Sequence, residues 1–276
     1  MIKGPVLPYP EEHPLAMIMA QRKAAPKMKA IVRSTPSSTL SYRDLDTSSL
    51  QALIRSIDPK MTARHELYNP ASIDDPLYLT RSSGSTGPSK AVLRTGRNVV
   101  SRLAWEVHEG NQLIMPLNSG LPHLLVALIQ GKTCYMLEPG TLDEMTSGIL
   151  AAPVSEMTIL PQFIGAILGR KAKLAGVKTV TSLGAPLSDE LASQFRAAYP
   201  AITLRNGYGS TEAGYVMFDG QPVANAVVSI RNGLLTASGP GVAYGYGYER
   251  LRFVGIFHSK DKAREANGKI ELLGRA

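Results

Sequence analysis

The sequence predicts an α/β protein: a body over residues 1–220 with a mostly parallel sheet covered by helices, followed by a small antiparallel β subdomain over residues 221–276. Three observations carry this. From Asn98 to Asn206, short apolar runs of strand length alternate with segments whose apolar residues recur at helical spacing. Such alternation lays strands side by side through crossover helices, and therefore in parallel with both faces covered. From about Gln221 the texture changes to strands around an Asn-Gly turn, the sequence sign of a hairpin. The composition, 44% hydrophobic and 19% charged over 276 residues, is that of a globular chain able to bury a sizeable interior.

The elements follow in order. LYLT, from Leu77 to Thr80, and AVLRT, from Ala91 to Thr95, read as strands on either side of a loop. After Asn98, VVSRLAWEVH carries apolar side chains at helical spacing. LPHLLVALIQ is a helix closed by Gly131, a residue that accepts the left-handed backbone of a helix C-terminus. TCYML reads as a strand, MTSGIL as a helix, MTIL as a strand and QFIGAILGRKAK as a helix. VKTVTSL and ITLRN are strands flanking a helix that Ser188 caps and ELASQFRAAY continues. VVSIRNGLLTAS is the hairpin, and RFVGIFHS and KIELLG add strands around Gly268. The sequence contains no internal repeat.

Several function classes are excluded on composition. No apolar window approaches the length of a membrane span, and MIKGPVLPYPEEHP at the N-terminus lacks the hydrophobic core of a signal peptide. The expectation is a cytoplasmic protein with no membrane partner. The single Cys134 excludes an internal disulfide, and its setting in TCYML is that of a buried strand without a catalytic role. The net charge is +8, but the cations are scattered, and no Lys/Arg run with interleaved aromatics marks a nucleic-acid surface. The denser groups, KMKA near Lys27 and GRKAKLAGVK from Gly169 to Lys178, read as solvated faces. A basic rim also suits ATP, coenzyme A or an acidic carrier protein, and charge does not choose among them.

Two segments carry the chemistry. SSGSTGPSK, from Ser82 to Lys90, is a loop of small hydroxyl-bearing residues ending in a lysine. Phosphate oxygens need many donors converging at close range; Gly84 and Gly87 let the backbone approach, while Ser82, Ser83, Ser85 and Thr86 add hydroxyls and Lys90 a point charge. The Walker pattern fails, because Ser89 precedes the lysine and Ala91 follows it. A flexible linker has the same composition, but this loop is held between two strands. The second segment, NGYGSTEAG from Asn206 to Gly214, is a glycine-flanked turn whose one carboxylate is Glu212. A magnesium ion bridging triphosphate oxygens needs a hard oxygen ligand of that kind.

On these residues the chain resembles the adenylate-forming superfamily of acyl-CoA synthetases, luciferases and peptide-synthetase adenylation domains. SSGSTGPSKA is similar to the family's phosphate loop with two departures, Ser89 and Ala91, and Tyr208, Gly209, Ser210, Thr211 and Glu212 match its second signature behind Asn206. LSYRDL at Leu40, ILPQF at Ile159, GLLTASGPGVAYGY at Gly233, FHSKD ending in Asp261 and the terminal GRA match further segments in collinear order. The resemblance implies an enzyme that activates a carboxylic acid with ATP and Mg2+, releasing pyrophosphate and forming an acyl-adenylate, with thioester formation on coenzyme A or a carrier protein to follow.

It also implies roles. Thr211 would donate to the α-phosphate, Glu212 would hold the metal, and Lys90 would neutralise the pyrophosphate. Gly184, Ala185 and Pro186 would border the adenine with Asn206, Tyr208 and Gly209 nearby, and Asp261 and Arg275 would meet the ribose. Without these roles the same residues would be a capping Glu, a turn Thr, a surface Asp and a terminal Arg. The acyl pocket would draw on Asn118, Ser119, Phe163 and Gly207; Phe163 and Tyr215 suit a pocket wall and a core equally. Amino-acid activators place an aspartate where this chain offers Asn118 or Ser119, which favours an aryl or aliphatic acid. Ser82 follows Tyr42 by only 40 positions, and the sequence stops at Ala276, where the family continues into a small lysine-bearing domain. The expectation is a shortened core that adenylates alone or with a separate C-terminal domain; the alternative is a non-catalytic module that binds nucleotide or acyl-adenylate.

Overall fold

The computed structural model describes residues 1–33, 38–56, 66–68, 70–81, 90–115, 120–247 and 252–276. By packing, the chain divides into two units that are each discontinuous in sequence: Met1–Pro14 with Thr62–Glu106 and Gly207–Ala276, and Leu15–Met61 with Val107–Asn206.

In the second of these the sheet runs, in spatial order, through strands Ser38–Ser41, Lys29–Arg33, Cys134–Met136, Gln112–Ile114, Glu156–Ile159, Thr179–Ser182 and the first half of Thr203–Ser210. Its ladders are parallel except at the edge, where Lys29–Arg33 and Ser38–Ser41 pair antiparallel. Local chemistry sets the helices. Thr141 and Glu144 form a capping box that opens Leu142–Ala151, and the Ser188 hydroxyl accepts from Leu191 N to open Asp189–Ala198. Gly131, at φ 68°, closes Gly120–Ile129. The core joins Met157, Ile159 and Val180 from the sheet to Phe163, Ile164, Ile167 and Phe195 from the helices.

The other unit is built from antiparallel pairs. One sheet orders Ile2–Lys3, Val227–Arg231, Leu234–Ser238, Ile256–Ala266 and Lys269–Arg275; another orders Gly245–Tyr246, Ala91–Thr95, Pro76–Arg81 and Glu66–Leu67. The second half of Thr203–Ser210 pairs with Gly214–Phe218. Asn232 and Gly233 both take positive φ, 52° and 75°, as do Asn267 and Gly268, so both hairpins close on the mirror-image turns that match strand twist. Val216, Met217, Val228, Leu235, Ala263 and Ile270 form this unit's core.

The fold is therefore mixed: among the described residues parallel pairing is confined to one sheet, which turns antiparallel at Ser38–Ser41 and at Gly214–Phe218, and the other two sheets are antiparallel. The division by packing also differs from one at residue 220. Ile2–Lys3 pairs with Val227–Arg231, and Gly245–Tyr246 pairs with Ala91–Thr95, so segments distant in sequence join one unit. The helix expected after Asn98 is short, Gly96–Val100, and tightens into a 3-10 turn over Ser101–Ala104. Among the described residues no helix is long and apolar enough to cross a membrane.

Candidate functional site

Strand Thr203–Ser210 turns at Thr211 and returns as Gly214–Phe218, with a bulge between Tyr208 and Gly209. Glycine is required at both ends of this turn. A Cβ on Gly209 would lie 2.3 Å from the Gly214 carbonyl oxygen, and Gly214 holds φ at 72°. The Ser210 hydroxyl accepts from Ala213 N at 3.0 Å, which tightens the turn from inside.

This turn leaves Glu212 half-buried. Its Oε1 accepts from the Tyr246 hydroxyl at 3.3 Å, and its carbonyl accepts from Ala243 N at 2.8 Å. Lys90, exposed at the start of strand Ala91–Thr95, places Nζ 4.4 Å from the centre of the Tyr246 ring, within cation–π range. Tyr246 thus touches both Lys90 and Glu212, residues separated by most of the unit's sequence. Tyr246 lies in the GLLTASGPGVAYGY segment, where the sequence assigns it no role.

Beneath the turn lies Arg94, 3% exposed. Its Nη1 donates to the Thr211 carbonyl and its Nη2 to the Gly241 carbonyl, each at 2.7 Å. Burial lowers the pKa of this guanidinium from the ordinary arginine range. Asn98 Nδ2 donates to the carbonyls of Pro240 and Val242 at 2.7 and 2.8 Å, fastening the same loop from its other side.

A second polar group surrounds Asp261, whose side chain is 15% exposed. The Tyr208 hydroxyl donates to its Oδ2 at 2.6 Å and Arg275 Nε to its Oδ1 at 2.9 Å, with Asp261 and Arg275 opposite one another across the hairpin. Burial first, and then the bond to Asp261, raise the Tyr208 pKa, so the phenol stays a donor. Among the described residues each carboxylate oxygen accepts from one side-chain donor, and a carboxylate oxygen can accept a second hydrogen bond.

The remaining expected residues fall as follows. Gly184, Ala185 and Pro186 are exposed in the turn after strand Thr179–Ser182, with Gly184 at φ 91° and Ser182 in register with Asn206. Gly207 lies opposite Phe218. Phe163, for which wall and core were equal readings, is 1% exposed inside the core on helix Pro161–Gly169. Tyr215 packs its ring against Trp105 at 5.5 Å and Phe218 at 5.3 Å. Ser82, Ser83, Gly84, Ser85, Thr86 and Gly87 lie outside the described residues, as do Asn118 and Ser119.

Among the described residues no three His, Cys, Asp or Glu side chains gather to hold a metal by themselves. A lone Glu212 carboxylate fits Mg2+ in the form that takes one carboxylate plus the oxygens of a bound nucleotide and water.

Comparison with known proteins bears on this arrangement. The pattern of the AMP-binding enzyme family matches residues 11–246. The chain is 33% identical over 155 residues to 4-coumarate--CoA ligase-like 4 of Oryza sativa subsp. japonica, covering 51% of this chain and 28% of that protein. It is 27% identical over 205 residues to Peroxisomal OPC-8:0-CoA ligase 1 of Arabidopsis thaliana, covering 68% and 38%. The matched stretches thus cover well under half the length of these relatives. In fold it is similar to o-succinylbenzoate CoA synthetase (MenE) from Bacillus subtilis in complex with the acyl-adenylate intermediate OSB-AMP, with TM-score 0.76, 16% identity and 94% and 99% of the two chains covered. The Klebsiella oxytoca NpsA N-terminal subdomain, in complex with anthranilyl-AMSN, matches with TM-score 0.74, 17% identity and coverage of 96% and 100%.

Proposed function

The chain belongs to the AMP-binding enzyme family, as the N-terminal core of the adenylate-forming superfamily, and from that premise we propose that it activates a carboxylic acid with ATP to an acyl-adenylate, releasing pyrophosphate. The observation that carries the reading is the contact set of Lys90, Tyr246 and Glu212: a cation and a carboxylate held through one phenol beside the Thr211 turn. The acid is aryl or aliphatic, in keeping with the names of the CoA ligases the chain resembles. The acceptor is the thiol of coenzyme A or of a carrier protein, with a lysine-bearing C-terminal domain supplied in cis or in trans, and the setting is the cytoplasm.

In this reaction the substrate carboxylate attacks the α-phosphorus, and negative charge grows on the phosphoryl oxygens as pyrophosphate departs. Fixed donors aimed at that charge lower the barrier because they need not reorganise. Thr211 donates to an α-phosphate oxygen, Lys90 balances charge on the departing pyrophosphate, and the loop of Ser82, Ser83, Ser85 and Thr86 supplies hydroxyls with Gly84 and Gly87 giving backbone access. Glu212 would hold Mg2+, which supplies charge neutralisation on the triphosphate. Asp261, steadied by Tyr208 and Arg275, accepts from the ribose hydroxyls, and Gly184, Ala185, Pro186, Asn206 and Gly209 bound the adenine. Asn118, Ser119 and Gly207 line the acyl side.

ATP–pyrophosphate exchange with a panel of carboxylic acids tests the reading. Exchange is expected with at least one aryl or aliphatic acid, and Glu212→Ala should lower it about 10²- to 10³-fold, the usual loss when one charge-stabilising group is removed. Nucleotide binding with no exchange for any acid overturns the enzyme reading in favour of a binding module.

A further inference from the structure

Thr211 and Glu212 have work in the proposed reaction, but their backbone is held by a residue that work does not include. Arg94 is 3% exposed and, among the described residues, makes no ion pair with a carboxylate. A cation taken out of water and held by carbonyl dipoles carries a large desolvation cost, and an apolar side chain of similar length would fill the same space without it. A guanidinium can do what that side chain cannot, which is to bridge two carbonyls with one rigid planar fork. Arg94 does this to Thr211 and Gly241, both at 2.7 Å.

The surroundings are shaped to this fork. A Cβ on Gly214 would stand 2.9 Å from Arg94 Nη2 and 2.6 Å from the Gly241 oxygen, so the glycine leaves the room the fork occupies. Ala243 N donates to the Glu212 carbonyl, adding a second tie between the turn and the loop after Gly239. The neighbouring cavity has a volume of about 20 Å³, space for about one water. The guanidinium reaches toward the backbone.

We infer that Arg94 is a positioning residue: by locking the Thr211 carbonyl to the Gly241 carbonyl it fixes where the Thr211 hydroxyl and the Glu212 carboxylate stand. This rests on the adenylation reading for what those two groups then do.

The test is a double-mutant cycle on Mg·ATP affinity, measured by titration calorimetry on the full chain, which needs no knowledge of the acid. Arg94→Met is expected to weaken Mg·ATP binding about 10-fold in the wild-type background, the scale of a lost hydrogen bond to a charged group. In the Glu212→Ala background the same substitution should cost clearly less, about 3-fold or below, because the share of the loss that runs through the carboxylate is already gone and only the Thr211 share remains. Arg94→Lys, which keeps the cation but not the fork, should recover part of the loss. Equal fold-losses in the two backgrounds, or no loss in the wild-type background, overturn the inference. If Arg94→Met does not fold, Arg94→Lys in the same two backgrounds decides by the same criterion. Failure of the wild type to bind Mg·ATP removes the adenylation reading and the inference with it; binding with additive variants removes the inference alone.

Discussion

Tyr208 and Arg275 each give one hydrogen bond to Asp261, and this decides how the carboxylate can be tested. A carboxylate held at both oxygens keeps its orientation, so a sugar hydroxyl meets a fixed acceptor instead of a mobile one. Asp261→Asn should therefore weaken Mg·ATP binding about 10-fold, as expected when a charged acceptor is lost, and leave inorganic tripolyphosphate binding unchanged. Calorimetric titration with each ligand separates the outcomes; an equal loss for both would assign Asp261 to the frame of the hairpin instead of the ribose. At this scale the sequence was informative wherever chemistry is local. Gly209 and Gly214 could be named as turn glycines from the pattern, and the structure shows why neither tolerates a side chain. Arg94 was not legible, since one arginine in AVLRT reads as the outward residue of a strand, and the partners that bury it lie far along the chain.

Helix Pro161–Gly169 shows the same division between local and distant information. Its start is written in the sequence, because proline at the first helical position has a suitable φ and no N–H to satisfy. Its apolar spacing guarantees a buried face, yet spacing does not say whether that face lines a pocket or a core. The structure buries Phe163 among Ile159, Val180 and Phe195. Phe163→Ala should accordingly destabilise its unit by about 3–5 kcal/mol through lost contacts and a residual cavity, measured from the denaturant midpoint. A ligand-binding defect with unchanged stability would return Phe163 to the pocket. The hairpin Val227–Arg231 with Leu234–Ser238 was fully legible, because an Asn-Gly pair selects its turn from the nearest neighbours alone.

At the scale of the whole molecule, the +8 charge of the chain bears on the approach of an anionic nucleotide. Scattered surface cations raise the local concentration of anions over distances of about one Debye length. Association of Mg·ATP, followed by stopped-flow fluorescence of an ATP analogue, should slow roughly 3-fold or more between about 50 and about 500 mM salt. A salt-independent rate would mean that the cations are solvated faces without a steering role. The sequence by itself determined the family signatures and their order, the cap at Ser188, the Asn-Gly turn and the alternation of helices and strands through Asn206, because each depends on neighbours a few residues apart. Tertiary structure alone decided that Ile2–Lys3 completes a sheet with Val227–Arg231, that Gly245–Tyr246 joins Ala91–Thr95 and Pro76–Arg81 in an antiparallel sheet, and that Tyr246 meets both Lys90 and Glu212. Those outcomes come from pairing segments separated by most of the chain, where the choice of partner is made by the burial of whole faces and not by any local preference.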